Sequence, residues 1–103
     1  MKKGLSKACY RFFSTLSNPT RLAILELLRE EPKNVTQISE ALNQDQSMIS
    51  HNLKPLVRCR FVFVERRWRE HVYSINRETM EAVFEIVQNH MKKYCPPKEK
   101  CHA

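Results

Sequence analysis

Apolar residues recur at three- and four-residue spacing through most of this chain and give way once to two short β-rich runs. Leu5, Ala8, Cys9, Phe12 and Leu16 share one helical face and predict a helix over Leu5 to Leu16. Asn18-Pro19 predicts a new start, with Asn18 as the cap and Pro19 in the first helical position. The helix that follows carries Leu22, Ile24, Leu25, Leu27 and Leu28, is expected to run to about Glu31, and reads as the central core helix. Pro32 lies just past it. A short third helix is expected with Thr36 as its cap and Ile38, Ala41 and Leu42 facing inward. Asn43 then suits a left-handed helix end, and Asp45 caps a fourth helix. Two short helices joined by about three residues form a helix-turn-helix pattern.

The β-rich runs are Phe61 to Val64 and His71 to Ile75, with a hairpin tip expected from Glu65 to Glu70. Asn76 suits the cap of a last helix, in which Met80, Val83, Phe84, Val87, Met91 and Tyr94 recur every three or four residues. Pro96-Pro97 stops it. The fold class is therefore mainly α with a small β-hairpin, in the order α-α-α-α-β-β-α. Gly4 is the only glycine, so the tight turns are expected at Asn, Asp or Pro.

A chain of 103 residues makes one small domain with a modest core. Residues 1–95 are expected to form it, with 96–103 as a flexible tail. Dimerisation is a common remedy for apolar surface that so small a chain leaves exposed. A hydrophobic content of 42% excludes a disordered chain, and no apolar run has the length of a membrane span. The start, MKKGLSKACYRFF, reads as a helix and not as a secretion signal, so a cytoplasmic protein is expected. No glycine-rich phosphate loop, HExxH or nucleophile motif is present, which argues against an enzyme.

Charge sharpens the picture. Lys and Arg number 18 against 11 Asp and Glu, a net +7. From Lys54 to Arg69 there are six basic residues and one acidic residue, Glu65. Clustered positive charge favours a polyanion, because each neutralised phosphate releases counterions. A solvated basic surface is the plain alternative; its coincidence with a helix and an arginine-tipped hairpin favours duplex DNA. The chain lacks the aromatic-rich sheet motif used to stack single-stranded bases.

The stretches LSNPTRLAILELL (Leu16 to Leu28), NVTQISEAL (Asn34 to Leu42), QSMISHNLKPL (Gln46 to Leu56) and HVYSI (His71 to Ile75) resemble the ArsR/SmtB family of transcriptional repressors. The likeness covers the chain from about Leu5 to Tyr94. It implies a winged helix-turn-helix homodimer bound to double-stranded DNA with an inverted repeat, its half-sites roughly 34 Å apart. The first and last helices would build the dimer interface through Leu5, Cys9, Phe12, Leu16, Met80, Val83, Phe84, Val87 and Met91.

Gln46, Ser47, Ser50 and His51 resemble the family's DNA-facing positions. Gln can bond adenine through two hydrogen bonds, and Ser serves bases or phosphates. Thr36 and Lys54 would position the protein on phosphates, and Arg66, Arg67 and Arg69 would form the wing. Trp68 stands where relatives have a small turn residue; packing over the sheet is the favoured expectation for it, with a place near a deoxyribose as the alternative. Pro55 lies inside the reading helix, where a kink or a tightened turn is expected. Arg60 replaces a glycine common at its end, which calls for an unusual backbone conformation or a different ending. Arg60 is expected to add a phosphate contact.

Family members sense metals, metalloids or thiol oxidation. The cysteine motif of the third helix is absent here, where Val35 to Ile38 stand. The zinc set of the last helix is broken, since His90 is accompanied by Arg77, Thr79 and Lys93. Cys59, Cys95 and Cys101 resemble ligand or redox positions of other members. Three readings remain for them: a soft inducer such as As(III), Cd(II) or Pb(II), a disulfide switch, or incidental thiols. A winged-helix protein without an inducer, acting constitutively on DNA or as a protein-interaction module, is the alternative function.

Overall fold

The computed structural model describes residues 10–95. Leu5, Cys9, Cys101 and the expected tail over 96–103 lie outside the described residues. The elements in order are α1 (Tyr10–Leu16), α2 (Pro19–Leu28), β1 (Lys33–Asn34), α3 (Val35–Leu42), α4 (Gln46–Arg58), β2 (Val62–Arg67), β3 (Glu70–Ile75) and α5 (Arg77–Tyr94). This is the expected order with one addition. The two-residue β1 pairs antiparallel with β3, Lys33 opposite Tyr73, and completes a three-stranded sheet in the order β1-β3-β2.

Three asparagines start helices. Asn18 accepts from the Arg21 backbone N–H at 3.0 Å, and Pro19 follows at the first position, as expected. Asn76 caps α5 through the Thr79 N–H at 3.4 Å, also as expected. At α3 the cap is Asn34 and not Thr36: Asn34 Oδ1 accepts from Gln37 N–H, and Gln37 Oε1 accepts from Asn34 N–H, both at 2.8 Å. That reciprocal pair satisfies two orphan amides at once, which Thr36, two residues further on and already inside the helix, has no geometry to do. Asp45 occupies the expected cap position of α4 without a side-chain hydrogen bond. α2 ends at Leu28, before the expected Glu31.

The helix ends are built without glycine. Asn43 takes φ 54° after α3, as expected. At the end of α4 it is Arg60 that takes φ 64°, with Arg60 N–H on the Val57 carbonyl and Phe61 N–H on the Leu56 carbonyl, both at 3.0 Å. These two bonds make a Schellman turn, a motif that normally recruits glycine. Asn76 Nδ2 donates to the Arg60 carbonyl at 2.7 Å and ties this turn to α5. The hairpin turn holds the third positive φ, 63° at Trp68. α4 runs unbroken through Pro55, which removes one donor from its ladder.

The core is Ile24, Leu25 and Leu28 of α2, Ile38 of α3, Ile49, Leu53 and Leu56 of α4, then Phe61, Val62, Ile75 and Met80. Each buried side chain of this size contributes roughly 1.5 to 3 kcal/mol. Phe12 of α1 meets Phe61 edge to face at 5.0 Å and seals this core from one side. Ala41, expected inward, is exposed, because Ile38 and Leu42 already fill the inner face of the two-turn α3. Among the described residues, no helix is long and apolar enough to cross a membrane.

Candidate nucleic-acid interface

Helix α4 separates its two faces cleanly. Ile49, Asn52, Leu53 and Leu56 are buried, while Gln46, Ser47, His51, Lys54 and Arg58 are exposed. Ser47, His51, Lys54 and Arg58 follow at intervals of four, three and four, so they stand above one another on a single ridge. Ser50 is half-buried on its flank. The ridge is polar, free of carboxylates, and carried by a helix with a fixed inner face.

Asn52 fixes that helix to α2. Its Oδ1 accepts from Arg21 Nε at 3.0 Å, and its Nδ2 donates to the Met48 carbonyl at 3.0 Å. Arg21 Nη1 also donates to the Thr15 carbonyl at 3.3 Å. One guanidinium therefore joins α1, α2 and α4. Sequence reasoning assigned Arg21 and Asn52 no role, because neither residue type announces a partner 31 positions away.

The structure brings α3, α4 and the hairpin together. Gln46 Nε2 donates to Thr36 Oγ1 at 3.3 Å across the helix-turn-helix. A groove of about 310 Å³ is lined by Thr36, Ser50, Arg69, His71 and Tyr73 among others, so three of the expected DNA contacts share one recess. Asn34 Nδ2 donates to Glu70 Oε1 at 2.8 Å and fastens the hairpin to the start of α3.

The hairpin is longer than expected, with pairing from Val62–Ile75 out to Arg67–Glu70 and a two-residue turn at Trp68-Arg69. Arg66 Nε donates to the Trp68 carbonyl at 3.2 Å and braces the turn. Arg67 pairs with Glu65 at 3.0 Å in solvent, a contact worth no more than about 1 kcal/mol. Trp68 does not pack over the sheet: it is 90% exposed, because its backbone stands at the apex of the hairpin and leaves the indole no neighbour to cover it.

The last helix divides along its length. Met80 is fully buried in the chain's own core, so it cannot serve the dimer contact expected of it. Phe12, Leu16, Val83 and Phe84 are half-buried against the same core. Val87 and Met91 are 47% and 46% exposed, and with Leu22 they line an apolar groove of about 220 Å³ between α2 and α5. Ile86 and Tyr94 are exposed on α5, as are Tyr10 and Phe13 on α1.

Cys59 lies at the end of α4 with its Sγ 3.2 Å from Thr15 Oγ1 of α1. Cys95 is the residue after α5. Among the described residues no group of three or more His, Cys, Asp or Glu is placed to hold a metal.

A helix-turn-helix braced by a three-stranded wing, with a polar ridge on its second helix, defines a winged-helix protein. A family profile described as "Bacterial regulatory protein, arsR family" matches residues 18–63. The HTH-type transcriptional regulator NmtR of Mycobacterium tuberculosis is 40% identical over 73 residues, covering 68% of this chain and 61% of that protein. The arsenical resistance operon repressor of Staphylococcus xylosus is 31% identical over 68 residues, covering 66% of this chain and 65% of the relative. The homodimeric winged helix-turn-helix DNA-binding domain from Mycobacterium bovis, solved by NMR, superposes with a TM-score of 0.82 at 27% identity, covering 98% of this chain and 94% of that one. Over residues 18–63 the chain is similar to the arsR family of bacterial regulatory proteins, and its fold is that of the winged-helix neighbour. It spans less than two thirds of the length of the two named regulators.

Proposed function

We propose that this protein is a homodimeric transcriptional repressor of the cytoplasm that reads an inverted repeat in double-stranded DNA. One observation carries the proposal: a single groove is lined together by Thr36 of α3, Ser50 on the flank of the α4 ridge and Arg69 of the wing. In this account Gln46, Ser47, Ser50 and His51 read base edges. Thr36, Lys54 and Arg60 sit on phosphates, and Arg66, Arg67 and Arg69 follow the backbone or minor groove beside them. The interface between copies forms on α1 and the outer half of α5, through Val87, Met91 and the exposed flanks of Phe12, Leu16, Val83 and Phe84. Salt titration of duplex binding tests the role. The account expects a steep linear fall of log affinity with log salt, whereas a protein-interaction module would show little salt-sensitive affinity for DNA.

For the signal, we propose that thiols control release, through a soft metal or metalloid such as As(III), Cd(II) or Pb(II), or through oxidation, at Cys59, Cys95 and Cys101. Two observations support it. Cys59 touches Thr15 of α1 at the end of the reading helix, so a change at its sulfur bears on both elements. A relative is named for arsenical resistance. Titrating the DNA complex with As(III), Cd(II), Pb(II), Zn(II) and an oxidant tests this. If the Cys95→Ser, Cys101→Ser double variant keeps every response, those two thiols are not the sensor. A wild type that responds to none of them is a constitutive regulator.

A further inference from the structure

Among the described residues, the richest concentration of positive charge around one recess is neither on the wing nor in the groove beside it. It is an open pocket of about 400 Å³ where α1, α2 and the second half of α4 meet. Arg11 and Ser14 of α1, Arg21 of α2, and His51, Lys54 and Arg58 of α4 line it. No carboxylate among the described residues does so. Of the ion pairs among the described residues, those of Arg29, Lys33 and Arg67, none involves a cation of this pocket.

Four cations around one recess repel one another, and water screens that repulsion only in part. A solvated surface would let such side chains splay. Here Arg21 is held by Asn52 at 3.0 Å and by the Thr15 carbonyl at 3.3 Å, which fixes one guanidinium at the pocket wall. The Arg11 guanidinium lies 6.0 Å from the centroid of the Tyr10 ring, and Tyr10 also lines the pocket. Guanidinium forks, an ammonium and hydroxyl donors around a carboxylate-free recess match a group with several anionic oxygens.

We propose that this pocket is a phosphate-binding site, taking either a backbone phosphate of the bound duplex or the phosphoryl group of a free small molecule. The site joins the first helix to the reading helix, so an occupant would tie the position of α1 to that of α4. It extends beyond the DNA contacts proposed above, of which it shares only His51 and Lys54.

The test uses the full chain and inorganic pyrophosphate as probe, titrated by calorimetry at constant ionic strength. Arg11→Gln with Arg58→Gln removes two exposed cations, Arg11 on α1 and Arg58 at the far end of the α4 ridge, neither of which is assigned a base or phosphate contact above. Saturable binding in the wild type is expected, weakened by about tenfold or more in the double variant. Arg11→Lys with Arg58→Lys keeps the charge and should retain most of it. Amide chemical shifts in the wild type should move around residues 11–21 and 51–58, a readout that does not depend on the variants folding. Salt slopes for duplex DNA then separate the sources. A slope lowered by about one to two in the glutamine variant, with pyrophosphate competing against DNA, assigns the pocket to the backbone. An unchanged slope, with pyrophosphate binding to the protein–DNA complex, assigns it to a free ligand. No saturable pyrophosphate binding together with an unchanged slope overturns the proposal. If the wild type binds no duplex at all, the repressor role fails, and the pyrophosphate titration still decides the pocket.

Discussion

The body of this molecule and its last helix handle apolar surface in opposite ways. In the body, α2, α3, α4 and the sheet bury Ile24, Leu25, Ile38, Ile49, Leu56 and Val62 to zero exposure within one chain. In α5 only the first turns do so, through Met80, and beyond Phe84 the stripe continues into solvent as Val87 at 47%, Met91 at 46% and Tyr94 at 64%. The same helical periodicity therefore has two meanings. Where a stripe faces the sheet and α2 it is core, and where it overhangs them it has nothing left in the chain to cover it. Exposed apolar surface of this extent on a small domain marks a contact.

Substitutions in the two regions should differ in kind. Leu53→Ala, in the body, should cost roughly 2 to 5 kcal/mol of stability, measured by chemical denaturation, whatever the oligomeric state. Val87→Asp with Met91→Asp, on the overhang, should leave the fold intact, convert a dimer to a monomer in sedimentation equilibrium, and reduce operator affinity on the order of a hundredfold through lost bivalency. A large loss of folding stability in that double variant, with the assembly unchanged, would erase the contrast between the regions.

Smaller effects are expected on the reading head. Gln46→Ala should cost about 1 to 3 kcal/mol at one base position and relax the preference there, while Lys54→Ala should weaken all sequences alike and lower the salt slope by about one. The smallest effect concerns the two strained turns. Arg60→Gly and Trp68→Gly should each raise stability by about 0.5 to 1 kcal/mol, because glycine holds a positive φ without a Cβ clash. Trp68 is the chain's only tryptophan, so its fluorescence on adding DNA reports directly whether the hairpin apex lies against the duplex.

These two turns also mark the limit of what the amino-acid order makes legible. Asn18, Asn43 and Asn76 were readable because a short amide side chain mimics the backbone partner that a helix end lacks. Arg60 was readable in part, as a side chain where relatives have glycine and so an unusual backbone or a different helix ending, and Trp68 was not. Neither type prefers a left-handed conformation, and the Leu56–Phe61 turn and the β2–β3 register impose it on them. Strand β1 escaped notice because two residues, Lys33 and Asn34, carry no periodicity, and they are strand only because β3 lies beside them. The reading ridge of α4 could be seen in sequence from its polar spacing. The pocket beside it could not, because Arg11, Arg21 and Arg58 converge only after three helices pack.

The central claim is a two-fold reader of duplex DNA, and selection from a random duplex pool tests it most directly. The account predicts enrichment of an inverted repeat whose half-sites are centred about one helical turn, roughly 34 Å, apart. Recovery of no preferred duplex, or of an unrepeated single site bound by one chain, would contradict it.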